Sequence, residues 1–156
     1  MLNLIDQAGT FSKPQHFRSS DTGYARNLIY DARDASLSLN SIVWLPAQWT
    51  PVHDHGSWGV VGVVEGVLEE RSYVRLSPDR GANEDIALAR GGTVLLRQGA
   101  VTGFVPNPDH IHATGVPTER PRAVSLHLYG RTMSDFNIYD EPARTRRRIA
   151  VAHNES

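Results

Sequence analysis

His53-Asp54-His55 carries imidazoles at i and i+2, and on an extended strand both point to one side. Neutral imidazole suits iron, zinc, copper or nickel, and as metal ligands the pair would need a third from elsewhere. Candidates lie in Pro108-Asp109-His110-Ile111-His112, where His110 and His112 again share one strand face and spacing alone does not choose between them. An isolated His-x-His is most often solvated surface. Here it stands beside Trp58-Gly59-Val60-Val61-Gly62-Val63-Val64-Glu65-Gly66, which reads as a buried, glycine-punctuated strand ending in a turn, so the pair is expected to face a cavity.

A second constellation is Ser125-Leu126-His127-Leu128-Tyr129. Val124, Leu126 and Leu128 face one way, and Ser125, His127 and Tyr129 the other. Such alternation by itself describes a half-buried strand with its polar side in water. Facing a metal cavity, hydroxyl, imidazole and phenol at i, i+2 and i+4 would form a hydrogen-bonded row able to move protons.

These side chains need a rigid frame, and the rest of the chain reads as β structure. The 156 residues are expected to form one domain, 1–156, large enough for a continuous core. Residues 1 to 23 read as an irregular or partly helical lead-in. Strand patterns follow over Ser36 to Leu45, Val52 to His55, Gly59 to Glu65, Leu68 to Leu76, Thr93 to Arg97, Val101 to Val105, Ile111 to Thr114 and Ala123 to Tyr129. Turn signals separate them at Ser77-Pro78-Asp79-Arg80-Gly81, Arg90-Gly91-Gly92 and Pro106-Asn107-Pro108-Asp109. Short strands at this spacing imply an all-β sandwich or barrel.

Composition narrows the chemistry. There is no cysteine, which removes disulfides, thiolate metal sites and Cys nucleophiles. The net charge of −1 gives no field that recruits nucleic acid or anionic membrane. Arg144-Thr145-Arg146-Arg147-Arg148, the one basic cluster, reads as a solvated segment. No apolar stretch approaches a membrane span and Met1 to Thr10 lacks signal-peptide features, so a cytoplasmic protein with no membrane or nucleic-acid partner is expected. Trp44, Trp49 and Trp58 read as packing, and His16 and His153 as exposed.

A barrel with His-x-His on an early strand and a further His on a late one resembles the cupin superfamily. Where that superfamily usually places a Glu after the first motif, this chain has Gly59 and Val60. More specifically, the chain resembles the thiol dioxygenases of the cysteine dioxygenase family, on His53-Asp54-His55, Ala123-Val124-Ser125-Leu126-His127-Leu128-Tyr129, the distance from His112 to Ser125, and Tyr24-Ala25-Arg26-Asn27-Leu28. The resemblance implies a cupin double-stranded β-helix (jelly-roll) and an Fe(II) held by His53, His55 and His112. It also implies an Arg26 that binds a substrate carboxylate beside Tyr24, and a Ser125, His127, Tyr129 triad. The partners implied are a small thiol and O2, both oxygen atoms ending on sulfur as a sulfinate. Arg rather than Gln at position 26 points to L-cysteine, with 3-mercaptopropionate or another small mercapto acid as the alternative. A non-thiol cupin enzyme and a metal-dependent binding module are the readings from other classes. Animal members carry a Cys cross-linked to the triad Tyr; the matching residue here is Gly59, so Tyr129 is expected to keep a free phenol.

Overall fold

The computed structural model describes residues 1–106 and 110–151. The lead-in forms two short helices, α1 (Leu2–Asp6) and α2 (Ala8–Phe11), and a 3-10 turn over Pro14–Phe17. Strands follow as β1 (Ala25–Asp31), β2 (Ser38–Trp44), β3 (Val52–His53), β4 (Gly59–Glu65), β5 (Val67–Arg75), β6 (Leu88–Arg97), β7 (Val101–Phe104), β8 (Ile111–Gly115), β9 (Ala123–Tyr129), β10 (Asp135–Asp140) and β11 (Thr145–Ala150). One sheet has the order β1-β2-β9-β4-β7 and the other β11-β10-β3-β8-β5-β6, and the strand pairs are antiparallel. The fold is all-β, the cupin double-stranded β-helix.

Period-two alternation fixes what each sheet shows to the other. Trp44, Val63, Leu68, Leu96 and Val116 meet in one inner cluster, and Val61, Phe104, Tyr129, Met133 and Phe136 in a second. The outer face of β9 does not meet water. Leu126 packs with Leu39 and Ala8, and Met1, Leu4 and Phe11 of the lead-in cover them. Full burial of a Leu contributes about 1.5–3 kcal/mol, so the helices stabilise a face that would otherwise stay apolar and exposed. Gly62 permits their approach: a Cβ there would come within 2.6 Å of Ile5 Cδ1 and 2.9 Å of Met1 Cγ. Both faces of β9 are therefore buried, in contrast to the half-solvated strand that its alternation alone suggests.

Several local expectations are corrected. β3 is only two residues long and ends at His53. Arg90-Gly91-Gly92 is not a strand opening but lies inside β6, where Gly91 and Gly92 bulge opposite Ser72 between the pairs Arg71↔Thr93 and Tyr73↔Arg90. Trp58 lies outside β4 and is 42% exposed. Residues Thr145–Ala150 form edge strand β11, in which Arg147 and Arg148 stay exposed, as expected of a solvated segment, while Arg146 donates to Asn83 Oδ1 at 3.1 Å and to the Gly81 carbonyl at 3.0 Å. His16 is buried, and its Nδ1 accepts the Lys13 backbone N–H at 3.1 Å. Most of the Pro106–Asp109 turn, and His153, lie outside the described residues.

Candidate metal centre

His53 and His112 face each other directly across β3 and β8, with ring centroids 4.7 Å apart. His55 has left the strand, yet its Nε2 returns to 3.1 Å from His53 Nε2, while its ring stacks on Phe104 at 4.2 Å. One donor atom from each of His53, His55 and His112 lies within 4.8 Å of the others, and all three residues are buried. His53 Nδ1 donates to the Pro51 carbonyl at 3.0 Å, which fixes its proton there and leaves Nε2 as a lone pair. Burial, chiefly, holds His53 and His55 well below the usual imidazole pKa and pushes His112 down to about 3, so at neutral pH all three are uncharged donors.

The turn between the first two histidines is held from outside. Asp54 N–H donates to the Asn137 carbonyl at 3.1 Å, and the Asp54 carboxylate accepts Asn137 Nδ2 at 3.1 Å and the Tyr139 hydroxyl at 2.7 Å. Both partners come from β10, a strand that the sequence did not announce, and they fix the path by which His55 returns toward His53.

His110 and His112 are resolved by pairing rather than by face. His112 sits against His53, whereas His110 keeps 29% of its side chain exposed. Between them stands Glu70 of β5, with Oε1 at 3.7 Å from His110 Nε2 and Oε2 at 3.6 Å from His112 Nδ1. With Nδ1 turned to the carboxylate, Nε2 of His112 is the nitrogen left to join His53 and His55. A carboxylate behind a ligating imidazole orients its ring and raises its basicity. Glu70 was missed in the sequence, although it lies two residues from the fully buried Leu68 and so on the same inner face.

The polar row forms as drawn from its spacing. Ser125 Oγ lies 2.8 Å from His127 Nε2, and His127 Nδ1 lies 3.1 Å from the Tyr129 hydroxyl. The Tyr129 ring is 5.6 Å from that of His55. Burial holds His127 well below the usual imidazole pKa and raises that of Tyr129, against the pull of the nearby Arg26 charge. Trp44, read as packing only, also donates its indole N–H to Ser125 Oγ at 2.9 Å and stacks on Tyr24 at 4.9 Å.

Arg26 enters from β1. It is 6% exposed, and its Nε and Nη1 are buried without a hydrogen-bond partner. Its Cζ lies 5.8 Å from the Phe136 ring centroid, and Phe136 in turn lies 5.2 Å from His53. A desolvated guanidinium with free donors is costly unless an anion completes it.

The family model for cysteine dioxygenase type I matches residues 12–142. The chain belongs to the cysteine dioxygenase family. Solved structures share its fold at low identity. A double-stranded β-helix protein from Klebsiella pneumoniae is similar at a TM-score of 0.58 with 14% identity, covering 83% of this chain and 96% of that one. A cupin 2 conserved barrel domain protein from Leptotrichia buccalis has a TM-score of 0.52 and 13% identity, over 78% of this chain and 47% of the other. An oxalate oxidase in complex with the substrate analogue glycolate has a TM-score of 0.51 and 18% identity, over 72% and 53%.

The family implies a metal, and the donor set fits one. At bond lengths of ~2.0–2.1 Å two imidazole nitrogens on one ion stand about 3 Å apart, as the Nε2 atoms of His53 and His55 do at 3.1 Å. Nε2 of the buried His112, the nitrogen turned away from Glu70, has no hydrogen-bond partner among the described residues, a deficit that ligation would remedy.

Proposed function

We propose that this protein is an Fe(II)-dependent thiol dioxygenase that adds both atoms of O2 to the sulfur of a small carboxylated thiol, most simply L-cysteine, giving the sulfinate. The observation that carries this reading is the pairing of three buried neutral histidines with an unpartnered buried Arg26 in the same interior. That combination asks for a ligand with a carboxylate at one end and a soft anionic donor at the other. Iron, when bound by His53, His55 and His112, would supply the open positions at which a thiolate and O2 meet.

The chain's own side chains do the rest. Arg26 holds the carboxylate through its fork of donors, a geometry that Lys does not reproduce. Tyr24, packed on Trp44 near Arg26, stands ready as a further polar contact. Tyr129, backed by His127 and Ser125, offers a hydroxyl on the side of His55. Phe104 and Phe136 wall the histidines and keep water away from a charged thiolate. The reaction balances within itself: RS⁻ plus O2 gives RSO2⁻, sulfur losing four electrons and the two oxygen atoms gaining them, with no external reductant.

The test is oxygen uptake by the Fe(II)-loaded protein against L-cysteine, 3-mercaptopropionate and cysteamine, with the sulfinate identified by mass. Stoichiometric conversion of a carboxylated thiol supports the proposal. Oxygen uptake without sulfinate, or none with any thiol, overturns it.

A further inference from the structure

We infer that Trp44 sets the direction of the hydrogen-bonded row, fixing His127 as its Nδ1–H tautomer so that Tyr129 turns its own O–H into the metal cavity as a donor. Trp44 is thus a positioning residue acting through three others. The inference rests on the thiol dioxygenase reading only for what the Tyr129 proton serves.

An indole N–H can only donate, so at 2.9 Å Ser125 Oγ accepts from Trp44. Ser125 is fully buried, and among the described residues the other hydrogen-bond partner of its Oγ is His127 Nε2 at 2.8 Å. If His127 Nε2 carried the proton, Ser125 Oγ would accept twice and its own hydrogen would be buried without an acceptor, at the full desolvation cost of that group. Ser125 therefore donates to a lone pair on Nε2. A neutral imidazole has one N–H, which then resides on Nδ1 and donates to the Tyr129 oxygen at 3.1 Å. With that oxygen accepting from His127, the phenolic hydrogen is free to point toward the histidine cluster, on the side where the His55 ring lies.

The opposite direction would make a different machine. Tyr129 would give its hydrogen to His127 Nδ1, and the row would draw protons out of the cavity as a base. The indole at position 44 selects the donating direction, in which Tyr129 meets an acceptor: a thiolate sulfur or an oxygen. The stack of Trp44 on Tyr24, two residues from Arg26, packs the indole at 4.9 Å and 28° between the ring planes.

The experiment is tautomer-sensitive 15N NMR of the zinc-loaded protein with labelled histidine, the diamagnetic ion keeping the lines narrow and a His127→Gln sample giving the assignment. In the natural protein His127 is expected as a single Nδ1–H species. A benzothienyl analogue of tryptophan at position 44 exchanges the N–H for sulfur and keeps the ring shape. It should give a mixture of tautomers, as should Trp44→Phe where that variant folds. On the Fe(II) protein the analogue should lower kcat about ten- to a hundredfold with KM and bound metal unchanged, a loss below the ~10²–10⁴ of removing an acid or base outright. An Nε2–H tautomer in the natural protein, or an unchanged tautomer in the analogue, overturns the inference. The NMR result stands whether or not any thiol is turned over, so failure here and failure of the dioxygenase reading are told apart.

Discussion

Gly59 stands directly opposite Tyr129 across β4 and β9, and the ring of Phe104 occupies the space that a side chain at position 59 would need. The place that holds the cross-linking Cys in animal relatives is thus closed here as well as empty of sulfur. The intact protein is expected to show the unmodified mass of its sequence after turnover. Gly59→Cys should not restore a crosslink: Phe104 would have to leave its stack on His55, and overpacking of this kind costs about 1–3 kcal/mol. A lowered melting temperature with no loss of two hydrogens from the intact mass is the expected pair of readings, and a crosslinked, fully stable variant would refute it.

Asp54 is placed to matter without touching a metal. Asp54→Asn replaces one acceptor oxygen with a donor facing the Asn137 amide and the Tyr139 hydroxyl, so the turn from His53 to His55 loses its anchor. Metal affinity should fall by about 10–100-fold while the circular dichroism spectrum is kept, the range typical of support lost behind a metal ligand. Competition against a chelator of known affinity measures it, and unchanged affinity would show that β10 does not hold the ligands in place.

Tyr129→Phe removes the hydroxyl at the end of the polar row and leaves the three histidines untouched. Turnover should drop by ~10²–10⁴ with iron content unchanged. Undiminished kcat would remove Tyr129 from the chemistry.

Much of this site was legible because period two is a strong constraint. Ser125, His127 and Tyr129 had to share a face, and the β4 and β9 boundaries follow from their apolar runs. The His53 and His55 pairing came from the same rule, but β3 ends at His53, so the convergence of the two rings depends on the Asp54 anchor and not on strand geometry alone. Illegible parts share a cause: partners distant in sequence. β10 has no visible task until its Asn137 and Tyr139 are seen holding the carboxylate of Asp54, 83 and 85 residues earlier. Glu70, a carboxylate in a strand, looks like surface until His112 lies behind it, and Trp44 looks like filler until its N–H meets Ser125, 81 residues on.

His16 supplies a pH test away from the metal. Burial, then the Lys13 charge, lowers its pKa below the ordinary value of 6.5. A histidine depressed in the folded state contributes stability that is fully present above its unfolded pKa and is lost as pH falls through the folded one. His16→Gln should therefore show a smaller fall in melting temperature between pH 7 and pH 5 than the natural protein. The other histidines depressed in the same sense, His53, His55, His110, His112 and His127, contribute to the remaining fall. An equal or steeper dependence in the variant would mean that His16 is not held neutral.

Arg26 supplies the test of substrate choice. Its Nε and Nη1 are buried and unpartnered, so a bound carboxylate both gains two charge-assisted hydrogen bonds and relieves a desolvated cation. Cysteamine, with no carboxylate, leaves that cation uncompensated and should be a poor substrate. Arg26→Gln keeps hydrogen-bonding capacity and removes the charge, so use of L-cysteine should weaken strongly. Relative preference should shift toward 3-mercaptopropionate, as resemblance to Gln-bearing relatives implies. A lost charged hydrogen bond of about 1.5–3 kcal/mol corresponds to roughly 10- to 150-fold in kcat/KM. The measurement is the ratio of kcat/KM for the two thiols in the natural and substituted proteins. A ratio that does not move would take Arg26 out of substrate choice, and a natural protein that already favours 3-mercaptopropionate by a wide margin would overturn L-cysteine as the substrate while leaving the thiol chemistry in place.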